Sequence, residues 1–579
     1  MFQSQTPTWS NMPKTYGLTG PISEDLPEEE NLIQTRKLLD TMKSYNVYEN
    51  NLEFEHRERV FRRLESLFRD WLKEICIEMN VPEVVTEKVG GKIFPFGSYH
   101  LGVHSKGADI DALCVGPGFL ERKAFFTSFF AKLKAQKEVK DIQAIEEAYV
   151  PVITLSWEGI QIDLVFALLS RRSVPDNLDL LNNSIVKDID IRCVRSFNGY
   201  RVTEQILRLV PNVLNFRVAL RAIKLWAKQR NIYSNKLGFL GGVSWAIMVA
   251  RICQVYPNAT TSTLVIKFFK IFSMWVWPIP IRLIEVEKCN YNLPFWDPKV
   301  NQSDRCHLMP IITPAYPQQN TSVNVSRSTL AILNEEIHRG HAICQEIEQK
   351  KAKWSELFEQ TDFFQKYQHY AVLEASYTTE EKCLEWVGLV ESKIRLLVST
   401  LERNELVSLA HVHPHAFPGH RKANKKDGQS TMWLIGLVLN VKDSERCKIN
   451  LECSFETFTN IINSLARSSD IYDEGMSLSV ACLRREDLIY EPQQRAPQPS
   501  ETLPPCHVSP VSADKQGTKK RELLHRSETP SKKIKDDKSL PVDQLSNVTG
   551  PSAFAKPAVS LTAPRPLNCH RLNRFLLAK

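Results

Sequence analysis

The sequence predicts an α+β protein of three folded domains followed by a disordered tail, and three observations lead there. Its 579 residues, 43% of them hydrophobic, exceed what one hydrophobic core supports. Residues 56–171 describe a small mixed sheet backed by helices, whereas residues 172–348, grouped with 16–55, are mainly helical. Residues 349–493 then run in a β-α-β-β-α-β order, the ferredoxin-like arrangement that RNA-recognition domains use.

Each element has its own signal. Residues 1–15, rich in Ser, Thr, Gln and Pro, have no apolar period and read as disordered. In RRLESLFRDWLKEICIEM, Leu64, Leu67, Phe68, Trp71, Leu72 and Ile75 recur at three- and four-residue steps, so one helical face packs on something flat. DIDALCV (109–115) alternates as a strand, FLERKAFFTSFFAKLKAQ (119–136) reads as a helix, and PVITLSWEGIQIDLVFA (151–167) reads as a hairpin turning at Glu158-Gly159. NFRVALRAIKLWAKQRNIY and GGVSWAIMVARICQVY are the clearest helices of the next stretch. The proline-rich passage from WVWPIPIRL to MPIITPAYPQQNTS reads as irregular chain. Further on, HYAVLEASY, ELVSLAHVHP, TMWLIGLVLN, INLECSF and MSLSVACLRR read as strands, interleaved with helices at 380–402 and 455–467.

From 494 to 579 Pro, Ser and Lys dominate and periodicity disappears, the signature of a disordered basic tail. Within it Lys519-Lys520-Arg521 and Lys532-Lys533-Ile534-Lys535 have the spacing of a bipartite nuclear localisation signal, which points to the nucleus with the cytoplasm as alternative. Ser509-Pro510 and Thr529-Pro530 are candidate proline-directed phosphorylation sites.

Composition bounds the function. A net charge of +8 and a pI near 8.7 permit an anionic partner such as nucleic acid without requiring one. The 13 cysteines are singletons without zinc spacing, which fits a reducing compartment better than a disulfide framework. No apolar run reaches bilayer length and MFQSQTPTWSNMPK lacks a signal-peptide core, so no membrane partner is expected and the sequons at Asn258, Asn320 and Asn324 are chance matches.

The chemistry concentrates in FPFGSYHLGVHSKGADIDALCV (94–115). Side chains alternate along a strand, so Asp109 and Asp111 share a face with Cα atoms roughly 6.5–7 Å apart. Like charges at that range call for a cation, and hard carboxylate oxygens favour Mg²⁺ completed by substrate phosphates. Gly97 allows a tight turn, and Ser98 and Ser105 offer donors to phosphate oxygens. A third carboxylate is expected on a neighbouring strand. Asp163 in GIQIDLVFA fits, standing opposite the apolar face formed by Ile160, Ile162, Leu164 and Phe166. A second pair, Asp188-Ile189-Asp190, lies among Lys187, Arg192 and Arg195 with no glycine-serine loop ahead of it and reads as salt-paired surface.

Gly97-Ser98, Asp109-x-Asp111 and the distant Asp163 resemble the signature of the DNA polymerase beta nucleotidyltransferase superfamily. More narrowly, GGKIFPFGSYHLGVHSKGADIDALCV, EEAYVPVI, IYSNKLGFLGGVSWA, FWDPKVNQSD and MPIITPAYPQQNTS, in that order across residues 16–493, resemble the vertebrate nuclear-type poly(A) polymerases. The resemblance implies a polymerase-beta-like catalytic domain, a helical central domain and an RRM-like RNA-binding domain. It implies a template-independent enzyme that adds AMP from ATP to RNA 3′ ends and releases pyrophosphate. Asp109, Asp111 and Asp163 would hold two Mg²⁺ ions, with Mn²⁺ as alternative. Phe96, Gly97, Ser98 and Ser105 would line the ATP site, Lys224 would meet the triphosphate with Tyr233 nearby, and Gly242 and Val243 would offer backbone N–H groups from a helix N-terminus. Asn198 and Asn235 match asparagines near the adenine. The cleavage and polyadenylation specificity complex and a monomeric state are implied in the same way.

His100 and Tyr149 depart from that pattern, where arginine and phenylalanine are usual. Arg217, Arg221, Lys224 and Lys228 form a basic stripe at helical spacing, which as a bare pattern is a solvated face. HVHPHAFPGH, with His411, His413, His415 and His420, lacks partnering acids or cysteines and reads as a loop rather than a metal site. A uridylyl-adding relative and a catalytically silent RNA-binding adaptor are the rival readings, and the intact aspartate trio argues against the second.

Overall fold

The structure, a computed structural model, describes residues 16–488 except 286, 288, 378–379, 420–428, 441–450, 470 and 474. The N-terminal stretch 1–15, His420, Ser509, Thr529 and the basic clusters of the tail lie outside the described residues.

Two helices open the chain, α1 (Glu29–Ser44) and α2 (Asn51–Glu78). A reciprocal capping box starts α2: Asn50 accepts from the Glu53 N–H while Glu53 accepts from the Asn50 N–H. Its apolar stripe of Leu64, Phe68, Trp71, Leu72 and Ile75 is buried against a five-stranded sheet. The sheet comprises β1 (Lys92–Phe96), β2 (Ile110–Pro117), β3 (Val139–Ile145), β4 (Val152–Trp157) and β5 (Ile160–Leu169), with a one-turn helix, α3 (Gly97–Leu101), between β1 and β2. Its strand order is β1-β2-β5-β4-β3, antiparallel except for the parallel β2–β5 pair. The hairpin turns at Glu158 and Gly159, both at positive φ (49° and 84°), as the twist-matched two-residue turn requires. The helix expected over 119–136 occupies 122–134, with Phe125–Phe129 in π-helical form.

Alternation along β5 divides the core. Ile160, Ile162, Leu164 and Phe166 join the layer under α2, while Val165, Ala167 and Leu169 pack on the opposite side. That side is covered by α4 (Ile191–Leu209), whose Val194 and Phe197 are buried there. Asp190 accepts from the Arg192 N–H to cap α4 and also pairs with the Arg192 side chain at 3.2 Å, while Asp188 lies 4.0 Å from Lys187. The second aspartate pair is thus salt-paired, with a helix-capping role that the surface reading did not contain.

The helical region continues with α5 (Val213–Gln229), α6 (Gly242–Val255), α7 (Thr261–Ser273) and α8 (Arg327–Glu348). Most of α6 is buried, as its near-continuous apolar sequence demands. The proline-rich passage is irregular and is anchored by Arg201, whose guanidinium donates to the carbonyls of Leu180, Asn182 and Tyr316.

A second sheet follows, built from β6 (His369–Tyr377), β7 (Val407–Val412), the short β8 (Phe417–Pro418), β9 (Gln429–Leu439) and β10 (Ser477–Arg484), in the order β10-β6-β9-β7 with β8 on β9. Helices α9 (Glu380–Leu401) and α10 (Glu452–Ser468) interleave as the sequence indicates. INLECSF is a correction. Its residues from Glu452 on open α10, because Leu451, Phe455, Phe458, Ile462 and Ala466 continue at helical spacing and are buried together, overriding the short strand-like alternation. His411 falls, as the strand reading of ELVSLAHVHP has it, in β7, where it is buried and its Nδ1 shares a 2.6 Å hydrogen bond with the Tyr367 hydroxyl; the loop reading holds only beyond that strand. Among the described residues the only acid, histidine or cysteine trio close enough to share a metal ion is elsewhere.

Candidate functional site

The site forms at the C-terminal end of β1, where Phe96 pairs with Asp111 across the antiparallel ladder and Asp111 pairs with Asp163 across the parallel one. That register sets Asp111 and Asp163 side by side, and Asp109 lies one alternation before Asp111. Ligand oxygens of Asp109, Asp111 and Asp163 all lie within 4.8 Å of one another. Burial, reinforced by the charges of Asp109 and Asp163, pushes the Asp111 carboxyl up to about 7, with Lys224 opposing. Burial and Asp109 push Asp163 upward as well. Three hard-oxygen donors whose mutual repulsion a cation would relieve fit a divalent metal held by all three.

Gly97 is what lets this happen locally. It sits at φ +62°, and its N–H donates to Thr203 Oγ1 at 3.2 Å. The turn then enters α3 with Ser98 facing a cleft of about 730 Å³. Gly97, Ser98, Ser105, Asp109 and Asp111, from the β1–β2 region, and Lys224, Lys228, Tyr233, Gly242 and Val243, from α5, α6 and their connection, line it together. At half-buried Lys224 the basic stripe is therefore not a solvated face, whereas Lys228 lines the cleft with its side chain exposed. Lys224 donates to the Val103 carbonyl at 3.1 Å, and burial, with Lys228 and Arg221 nearby, brings its ammonium down to about 8 against the pull of Asp109 and Asp111. Burial and the same two aspartates push the Tyr233 hydroxyl up to about 12. The cleft thus brings carboxylates and ammonium groups together, an arrangement suited to a polyphosphate bridging both.

Other expected residues stand further off. Phe96 ends β1 and packs against Gly199, where a Cβ would fall 2.7 Å from its ring. Asn198 is on α4, with its Oδ1 buried and without a hydrogen-bond partner among the described residues. Asn235 donates to the Thr321 carbonyl at 3.0 Å and accepts from Asn324 at 3.0 Å, so its side chain is engaged in the central region. His100 pairs with Glu204 at 2.9 Å, and exposed Tyr149 carries the Arg195 guanidinium 3.8 Å from its ring centroid. Thr203 and Gln161 line the cleft and escaped sequence reasoning. Thr203 lies inside a helix with no periodic or motif signal. Gln161 is legible only as the residue sharing Asp163's face.

Three successive family models match the chain: the poly(A) polymerase nucleotidyltransferase domain over residues 17–210, the poly(A) polymerase central domain over 215–360, and the poly(A) polymerase predicted RNA binding domain over 362–430. Curated relatives include a poly(A) polymerase of Dictyostelium discoideum, 39% identical over 92% of this chain and 64% of that protein. Nuclear poly(A) polymerase 1 of Arabidopsis thaliana is 40% identical over 82% of this chain and 66% of that protein, and nuclear poly(A) polymerase 2 is 44% identical over 68% and 49%. The chain therefore spans less than two thirds of the length of these relatives. Among solved structures, the Cid1 poly(U) polymerase matches with TM-score 0.38 and 15% identity over 57% of this chain and 99% of its own, too distant a likeness to inform the chemistry. The folded part is a polymerase-beta-like nucleotidyltransferase domain, a helical central domain and a sheet-bearing RNA-binding domain in succession, and with three adjoining domain matches of one kind the chain belongs to the poly(A) polymerase family.

Proposed function

We propose that the protein is a template-independent polyadenylate polymerase of the vertebrate nuclear type, which transfers AMP from ATP to the 3′ end of RNA and releases pyrophosphate. The observation that carries this reading is the clustering of Asp109, Asp111 and Asp163, the first two of which line one cleft together with half-buried Lys224. Held by the three carboxylates, two Mg²⁺ ions, or Mn²⁺ in their place, would stabilise charge on the triphosphate and lower the pKa of the attacking RNA hydroxyl.

The chain's own groups do the rest. The Gly97 N–H is committed to Thr203, so Ser98, in the first turn of α3, is the donor left for a phosphate oxygen. A phosphate beside Lys224 would restore its depressed proton affinity and so gain a fully charged partner. Gly242 and Val243 present N–H groups of the first turn of α6, where the helix dipole favours an anion. Asp163, on the strand paired with that of Asp111, would orient the RNA 3′-hydroxyl for in-line attack on the α-phosphorus, a role that their register supports. Phe96, Asn198, Tyr233 and Asn235 are proposed to shape the base and ribose end of the ATP site. RNA recruitment falls to the C-terminal sheet domain, with backbone rather than base contacts, and the cleavage and polyadenylation specificity complex, a nuclear site of action and a monomeric state belong to the same proposal. The first two Arabidopsis relatives are named nuclear.

Incubation of the purified protein with an oligoadenylate primer, Mg²⁺ and each nucleotide in turn tests this. Long tails from ATP alone are expected. Extension from UTP, or the absence of extension with every nucleotide, overturns it.

A further inference from the structure

Residues Leu101–Ala108 join the glycine-serine turn to Asp109, and cations grip this bridge from two flanks. From α5, Arg217 Nε donates to the Leu101 carbonyl at 2.8 Å and Lys224 Nζ to the Val103 carbonyl at 3.1 Å. From α2, Arg57 Nη1 donates to the Ala108 carbonyl at 2.8 Å, and Glu53 pairs with Lys106 at 2.7 Å. Arg57 is itself held by Glu49 through both Nη2 and Nε, the latter at 3.3 Å, and Glu49 Oε2 also meets His104 Nε2 at 3.0 Å. The side chains of Arg57, Glu49 and His104 are only 3%, 6% and 8% exposed.

A buried ion pair seldom adds net stability over an apolar replacement, so its presence here calls for a role in specifying geometry. The geometry it specifies is local. Glu49 comes from the connection between α1 and α2, Arg57 from α2 and His104 from the bridge itself, so three separate pieces of chain meet. With two guanidinium nitrogens satisfied by Glu49, the third donates to one carbonyl, that of the residue immediately before Asp109. None of the three side chains lines the cleft. His104 Nδ1 is buried without a partner among the described residues, as for a neutral ring whose one N–H goes to Glu49.

We infer that Glu49, Arg57 and His104 form a positioning cluster that fixes the backbone ahead of Asp109 and so the aim of its carboxylate into the metal-binding trio. The inference rests on reading the cleft as a metal-dependent nucleotide site. Arg57 and Glu49 are positioning residues: they touch no reacting atom.

The full chain carrying Arg57→Lys is compared with the unmodified protein by hydrogen exchange, by Mn²⁺ binding followed by electron paramagnetic resonance, and by primer extension. Expected are about 10-fold faster exchange confined to amides 101–109 and about 10-fold weaker Mn²⁺ binding, the usual scale for loss of an outer support to a metal ligand. The loss of turnover should appear in kcat, with KM for ATP moving by less than about 2-fold. Glu49→Gln, which keeps shape and removes the charge, should reproduce the pattern and decides the matter if Arg57→Lys fails to fold. Exchange raised throughout the protein, or Mn²⁺ affinity unchanged in both variants, overturns the inference. Failure of the unmodified protein to bind Mn²⁺ would instead overturn the nucleotidyltransferase reading, and the exchange result would still judge the brace.

Discussion

At Gly97 a Cβ would fall 2.1 Å from Asp111 Oδ2, and the backbone is at φ +62°, where an L side chain is strained in any case. Gly97→Ala must therefore displace either the turn or the carboxylate. We expect kcat for primer extension to fall by about 100-fold, with a stability loss of about 1–2 kcal/mol read from urea unfolding. Asp163→Asn keeps the shape and removes the charge. Turnover should drop on the order of 10³-fold. Because Asp163 is one of the charges raising the Asp111 pKa, the metal-free protein should melt no lower than the unmodified chain. A lower melting temperature would mean that Asp163 is held by partners the fold needs. The three aspartates were legible in the sequence because strand alternation converts spacing directly into a shared face. Thr203, Arg57 and Glu49 were not, since nothing in a helix or a connection marks a side chain that serves a distant backbone atom.

At the level of elements, the hairpin at Glu158-Gly159 and the amphipathic stripe of α2 followed from local chemistry, and both stand where expected. INLECSF did not follow, because seven residues of alternation compete with a longer helical period that only packing decides. The burial of two histidines of HVHPHAFPGH did not follow either, because a polar ring is buried only where aromatic neighbours from other elements enclose it. His411 and His413 lie against Phe363, and Phe417 lies against His413. Burial brings His411 down to about 3, with Lys366 and His413 adding to the effect, and brings His413 down to about 4, with His415 adding to it. Both fold as neutral rings while the unfolded chain protonates near pH 6.5. Their contribution is complete above pH 6.5 and is lost as pH falls toward 4, by up to about 1.4 kcal/mol per histidine for each pH unit. Urea midpoints at pH 7.5 and 5.0 should show the C-terminal sheet weakening in acid, and His413→Phe should remove part of that slope.

Across the whole molecule, the order of segments told more than any one of them, since a trio of aspartates alone would not say what surrounds it. What the order could not convey is how the helical and C-terminal domains share one core. Ile332, Leu333 and Ile337 of α8 belong to the same buried cluster as Ala410 and Val412 of β7 and Ile435 of β9. Polar contacts stitch the same seam. The Ala410 N–H donates to Ser328 Oγ at 3.0 Å, and Glu402 accepts from the Ser326 hydroxyl at 2.6 Å and from the Ser328 N–H at 2.8 Å, which caps α8 from the C-terminal domain. Within the helical domain itself, Arg230 and Glu336 form a buried two-bond ion pair whose arginine also donates to the Glu359 carbonyl at 2.8 Å. A chain ending at residue 360 would therefore uncover apolar surface of α8 and remove the Glu402 contacts at its N-terminus, leaving the Ser326–Thr329 capping box, although the cleft residues all precede that point. Such a truncation should bind a hydrophobic dye and lose protection of α8 in hydrogen exchange. Its melting temperature should fall by about 5 °C or more, as expected when the Glu402 contacts and the packing of several buried side chains are lost together. An unchanged melting temperature and unchanged protection in α8 would show that the two domains fold independently and that the shared cluster contributes nothing to stability.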